Sequence, residues 1–182
     1  MLNRFSKFAC ATVVFLLMAD ILAPKPAAAQ GVEFAVGYSF LRDNEIKDNL
    51  PAGIFASLGV GVNSWLSLVG EVASNRKTYD TPGDDITLKV DFYGAGLRFA
   101  GHSGKAHPYA QVLVGAARGR ISLLGQSESG NDFAWQPGAG VDVDFSRHVG
   151  MRFGVNGRFI QGDNATVKET QVVVGLVFSG GR

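Results

Sequence analysis

Apolar and polar positions alternate without a slip from Phe133 to Phe145 and again from Val149 to Phe159. In the first arm Phe133, Trp135, Pro137, Ala139, Val141, Val143 and Phe145 share one face, and Gln136, Gly138, Gly140, Asp142 and Asp144 fall on the other. In the second arm Val149, Met151, Phe153, Val155, Gly157 and Phe159 oppose Gly150, Arg152, Gly154, Asn156 and Arg158. Side chains of a strand repeat every two residues, so each arm is a strand with one apolar face and one polar or glycine face. Ser146-Arg147-His148 joins the arms, which predicts a β-hairpin. Both arms exceed the ~5–6 residues of an ordinary globular strand. Large aromatics end the apolar faces and charges occupy the others, the pattern of a strand with lipid on one side and a polar interior on the other.

The same period predicts six further strands, for eight in all. They begin with Val32–Phe40, Gly53–Val62 and Leu66–Ala73. The fourth, Ile86–Phe99, has two phases: Ile86, Leu88 and Val90 keep one, and Tyr93, Ala95, Leu97 and Phe99 the other, which a bulge near Asp91-Phe92 or a misplaced boundary reconciles. The fifth, roughly His107–Arg118, is ambiguous in phase, and Gln171–Phe178 closes the set. No stretch after residue 30 carries a 3.6-residue apolar stripe, so little helix is expected.

Connections alternate long and short. The long ones are Arg42–Pro51, Asn75–Asp85, Gly119–Asn131 and Gln161–Lys168. Bacterial membrane barrels have short periplasmic turns and long outer loops, so an even strand number is expected to put both chain termini on the periplasmic side. Tyr38, Phe40, Trp65, Tyr93, Phe99, Tyr109, Phe133, Trp135, Phe145, Phe159 and Phe178 lie near strand ends, as interfacial girdles require. A lipid-facing sheet cannot leave edge groups unpaired. The expected fold is therefore all-β, an eight-stranded antiparallel up-and-down transmembrane β-barrel. Eight strands leave room for side chains and no wide channel. Inward Glu33, Glu71, Gln136, Asp142, Asp144, Arg152, Asn156 and Arg158 are polar and of both signs, with Arg98 joining them in the later phase of its strand. Buried charges persist only when paired, so Glu71, Asp142 and Asp144 are expected to pair with Arg98, Arg152 and Arg158.

Composition agrees with this picture. Charged residues make up 18%, below the ~25% usual for soluble domains. All 24 glycines follow position 30, and the net charge of +1 gives no reason to expect nucleic acid. Residues 1–29 read as a cleaved secretory signal: Arg4 and Lys7, an apolar run from Phe8 to Ala19, and Ala27-Ala28-Ala29 before Gln30. The barrel domain is expected over 30–182. The apolar run is too short for a membrane-spanning helix. Cys10 lies inside it, so the exported chain carries no thiol and no disulfide.

The chain resembles the outer membrane protein beta-barrel domain family, the small porin-like barrels related to the transmembrane domain of outer membrane protein A. The residues that carry this are Gly37-Tyr38-Ser39-Phe40, Asn63-Ser64-Trp65-Leu66, Asp91 to Arg98, and His107-Pro108-Tyr109-Ala110. Gly138 to Val143 with Ser146-Arg147-His148, and Val174 to Phe178, complete it. Such barrels often end on a terminal aromatic read by the insertion machinery, whereas here Ser179-Gly180-Gly181-Arg182 follow Phe178. The resemblance implies a Gram-negative outer-membrane location, with no catalytic or cofactor residues.

Candidate chemistry is sparse. His102 and His107 flank one short turn and His148 sits in another, where hydrated turn residues are expected; the first two could share a metal, but no third ligand is evident. Ser146 and His148 do not make a catalytic arrangement. Asp142-x-Asp144 reads as lumen filling rather than a metal pair. Asn164-Ala165-Thr166 matches a common glycosylation pattern. Arg76-Lys77 and Asp84-Asp85 fall on an expected outer loop, as a hydrated surface or as a site for lipopolysaccharide phosphates or a surface partner. The expected role is a monomeric, non-enzymatic barrel that stabilises the envelope or presents outer loops. Its partners would be outer-membrane lipid and lipopolysaccharide, and the barrel assembly machinery during insertion. No cofactor is expected, and no appended peptidoglycan-binding domain. The alternatives are a small porin-like channel, a lipid-modifying enzyme, and a soluble barrel holding an apolar ligand.

Overall fold

The computed structural model describes residues 31–44, 49–81, 84–123, 126–162 and 166–180; the expected signal segment lies outside them. The described chain consists of strands and turns, and forms a closed antiparallel barrel. The strands are β1 (Val32–Asp43), β2 (Asn49–Leu50), β3 (Ala52–Gly61), β4 (Leu66–Thr81), β5 (Asp84–Ala100), β6 (Ala106–Leu123), β7 (Gln126–Asp144), β8 (Val149–Gln161) and β9 (Thr166–Ser179). Each long strand pairs with the next, and β1 pairs with β9 from Glu33↔Ser179 to Asp43↔Glu169, which removes the edge.

β2 and β3 are one barrel strand interrupted at Pro51. Leu41 faces Leu50 while Tyr38 faces Ile54, so one extra residue enters the second strand between those pairs. Proline has no N–H for the ladder, and a bulge at that point accommodates it. The bulge expected near Asp91-Phe92 is absent. β4 and β5 keep one register from Leu66↔Phe99 to Thr81↔Asp84. The two apolar phases have another cause. Below Tyr93 the outer wall meets lipid and carries the apolar residues; above it the outer wall is polar, and Leu88 and Val90 continue the inward phase of Phe92.

The connections expected over 75–85 and 119–131 are mostly strand. β4 and β5 continue to Thr81 and Asp84, and β6 and β7 to Leu123 and Gln126. At Ser74, Arg76, Thr78, Thr87, Lys89, Asp91, Arg118, Arg120 and Asn131 their outward positions are polar because they stand above the bilayer, and the ladders persist because hydrogen bonding depends on the backbone rather than on the apolar pattern. The short turns are built locally. Asn63 Oδ1 accepts from the Trp65 and Leu66 amides at 2.9 and 2.8 Å. Ser146 Oγ accepts from those of His148 and Val149 at 3.3 and 3.1 Å.

The outer wall is apolar and rimmed by aromatics. Phe34 stacks on its cross-strand partner Phe178 at 6.4 Å, Trp65 on Phe99 at 5.9 Å, and Trp135 on its partner Phe159 at 4.5 Å. Phe133, within β7, and Phe145, just past its last residue, mark the upper and lower limits of the apolar wall on that strand. At ~3.4 Å per residue and a tilt of ~40°, their separation spans roughly 30 Å, close to the hydrocarbon depth. Tyr109, expected in a girdle, faces the lumen and is buried.

Candidate functional site

The feature that could carry function is the lumen. Three arginines, each at most 4% exposed, enter it: Arg98 from β5, and Arg152 and Arg158 from β8. Arg152 grips Asp142 with a two-pronged contact, Nε to Oδ1 and Nη2 to Oδ2, both at 2.8 Å. It also donates from Nη2 to Glu33 and from Nη1 to Ser57 Oγ at 3.1 Å. Arg98 Nη1 reaches the same Glu33 oxygen at 2.6 Å. Glu33 is therefore shared by two guanidinium groups from opposite parts of the wall. The Tyr109 ring lies beneath both, 4.7 Å from Arg98 Cζ and 5.0 Å from Arg152 Cζ. Space for that ring comes from Gly140 and Gly154, where an added Cβ would come within 2.6 Å of the tyrosine.

Amides carry the network upward. Arg98 Nε and Nη2 donate to Gln111 Oε1 at 3.0 and 2.8 Å. Gln111 Nε2 donates to Asn156 at 3.2 Å and reaches Glu71 at 3.5 Å. Glu71 also accepts from Gln136 Nε2 at 2.9 Å, and Gln136 accepts from Arg158 Nε at 2.9 Å. Arg158 Nη1 then meets Glu169 at 3.3 Å, and its guanidinium lies 4.4 Å above the Phe92 ring. A second branch runs from Asn156 through Gln171 to Ser39 and Asn75, with links of 3.0, 2.8 and 3.0 Å. Leu41 and Leu50 are buried above this branch.

The six residues expected to pair among themselves are thus arranged differently in part. Asp142 meets Arg152. Glu71 meets glutamine amides, Arg98 meets Glu33, and Arg158 meets Glu169. Asp144 lies at the turn end, where it accepts from His107 Nε2 at 2.8 Å. His107 is not the hydrated turn residue expected; it is buried, with the His102 ring edge-on at 5.1 Å. No group of three metal-ligating side chains occurs among the described residues. Glu169 lies outside the strand expected from Gln171, although 169 shares the inward phase of 171 and 173. Glu33 faces inward as its alternation predicts, but nothing in the spacing shows that it reaches across to β5 and β8.

Arg76 and Lys77 lie within β4, Arg76 on the outer wall and Lys77 on the inner phase. The side chains of Asp84 and Asp85, and Asn164 and Ala165 of the glycosylation pattern, fall outside the described residues.

The arrangement joins the charged and amide side chains of the lumen to one another. It is built to fill and brace the barrel.

The model of the outer membrane protein beta-barrel domain family matches residues 10–179. Among solved structures, the Yersinia pestis attachment invasion locus protein Ail, in complex with the heparin analogue sucrose octasulfate, is 20% identical, with a TM-score of 0.62 over 84% of this chain and 99% of that one. Neisserial surface protein A is 15% identical, with a TM-score of 0.62 over 85% and 99%. The N-terminal β-barrel domain of Pseudomonas aeruginosa OprF is 14% identical, with a TM-score of 0.53 over 82% and 98%. No curated protein matches the sequence.

Proposed function

This chain belongs to the outer membrane protein beta-barrel domain family, and on that premise we propose that it is a non-conducting, non-enzymatic barrel with a structural or surface-interaction role. The family implies the outer membrane of a Gram-negative cell. The observation that carries the reading is the continuous lumen network from Glu33 and Arg152 through Gln111, Glu71 and Gln136 to Arg158 and Glu169. Buried arginines held on several sides cannot swing aside without stranding charge, so they oppose ion passage as well as collapse.

Planar-bilayer recording tests this. The folded protein is expected to give no steady conductance, while showing the heat-dependent gel mobility of a closed barrel. A stable open level, independent of voltage, would reject the filled-lumen reading in favour of a small pore. An altered lipid A mass spectrum in cells that produce the protein would reject the non-enzymatic one.

A further inference from the structure

The short turn between β5 and β6 brings two imidazoles together. The register of these strands runs on past Ala100↔Tyr109 to the bridge Ser103↔Ala106, with the Gly101 amide donating to the Pro108 carbonyl at 2.8 Å in between. His102 therefore stands directly opposite His107, and residues so placed have Cβ atoms ~4.5–5.5 Å apart. The two rings lie 5.1 Å apart, centre to centre. With metal–nitrogen bonds of ~2.0–2.1 Å, a ring centre lies about 3.2 Å from a bound ion, so two rings on tetrahedral positions lie about 5.2 Å apart. The pair already has the separation that one shared ion requires.

A second observation concerns the other side of the His107 ring. His107 is 7% exposed, and its Nε2 donates to Asp144 Oδ2 at 2.8 Å. An ionised carboxylate only accepts, so in the neutral ring the proton sits on Nε2 and Nδ1 carries a lone pair. That Nδ1 is buried and has no hydrogen-bond partner. Buried polar atoms are ordinarily paired, and an unpaired one calls for a bound water or ion. An imidazole that donates one nitrogen to a carboxylate and offers the other is the usual form of a metal-bound histidine, because the carboxylate fixes the ring and raises its basicity. Asp142, opposite His107 on β7, is gripped by Arg152, and no set of three ligating side chains forms among the described residues. His102 is exposed at the rim, so water supplies the remaining positions on an ion held there. Two imidazoles without an oxygen cage favour a late transition metal over Ca²⁺ or Mg²⁺.

We propose that His102 and His107 bind one divalent late transition-metal ion, Cu²⁺ or Zn²⁺, at the short-turn rim of the barrel, with Asp144 as the positioning residue of His107. In such barrels that rim faces the periplasm. The folded, untagged protein in neutral detergent tests this, titrated with Zn²⁺ by calorimetry and with Cu²⁺ by electron paramagnetic resonance. One ion per barrel is expected, with Cu²⁺ held more tightly than Zn²⁺ and two imidazole nitrogens in the copper spectrum. His102→Ala and His107→Ala should each lose measurable Zn²⁺ binding and show no more than one imidazole on copper. Asp144→Asn should keep both nitrogens while weakening Zn²⁺ about 10–100-fold. His148→Ala, changed in the other turn, should bind like the wild type. Heat-dependent gel mobility checks that each variant is folded, and since His102 is exposed, H102A carries the test where H107A does not fold. The proposal is overturned by a wild type without saturable Zn²⁺ binding, by two imidazoles persisting in H102A, or by binding lost in H148A. Displacement of Zn²⁺ by Ca²⁺ at equal concentration overturns it too, since that marks a carboxylate site. Wild-type Zn²⁺ affinity in Asp144→Asn removes the positioning role from Asp144.

Discussion

Replacing Arg152 by methionine is the sharpest test of what the lumen network contributes. The substitution keeps length and apolar bulk and removes the charge. It deletes two bonds to Asp142, one to Glu33 and one to Ser57. Adding three charge-assisted bonds at ~1.5–3 kcal/mol each would suggest a loss of roughly 5–9 kcal/mol. That sum overstates the effect, because Glu33 keeps Arg98 at 2.6 Å. The ion most affected is Asp142, 2% exposed, which loses its two-pronged contact with Arg152. Breaking one buried pair costs ~3–5 kcal/mol, and we expect a loss in that range. Denaturant unfolding in lipid vesicles, read by gel mobility and tryptophan emission, measures it. Asp142→Leu in the same chain should recover part of the loss, with a coupling of about 1.5–3 kcal/mol. A loss below about 1 kcal/mol, or strict additivity in the double variant, would refute the claim that the lost ion pair rather than lost packing dominates.

Other outcomes follow from crowding, cavities and stacking. Gly115→Ala would push a Cβ into the backbone of Tyr93 and Gly94 on β5, so a loss of ~1–3 kcal/mol or more is expected in the same unfolding assay, whereas Gly70→Ala should be nearly silent. Tyr109→Ala empties a slot lined by two glycines that cannot collapse into it; a loss of about 3–5 kcal/mol is expected by analogy with other large aromatic truncations. Trp135→Leu removes the stack on Phe159, and a double-variant cycle with Phe159→Leu should return ~0.5–1.5 kcal/mol of coupling.

Most of the wall was legible in the sequence because lipid and lumen impose opposite chemistry on alternate residues. The hairpin through Ser146 and the inward placement of Asp142, Arg152 and Arg158 follow from that alone. Legibility fails wherever one of the two solvents changes. Above Tyr93 water replaces lipid, so Leu88 and Val90 turn inward and imitate a slipped register. In β6, Tyr109 and Leu113 point into the lumen while Val112 and Val114 point out, and apolar residues on both faces hide the phase. Ion-pair choice was the least legible. Alternation gives the side on which a charge lies, but Glu33 meets arginines on strands that are not its neighbours, and that depends on barrel curvature.

The β1–β9 seam also bears on how the barrel forms. Every other pairing of long strands joins neighbours linked by a single turn or loop, whereas this one brings Glu33 to Ser179. Closing so long a loop is a slow kind of step. Until β1 is seated, Glu33 is absent from between Arg98 and Arg152, and two strand edges stand unpaired. An open sheet would thus face hydrocarbon with bare backbone and incompletely matched guanidinium groups at once. Partly closed forms are penalised twice over, which favours a sharp transition in which zipping of the seam and completion of the ion cluster are a single event.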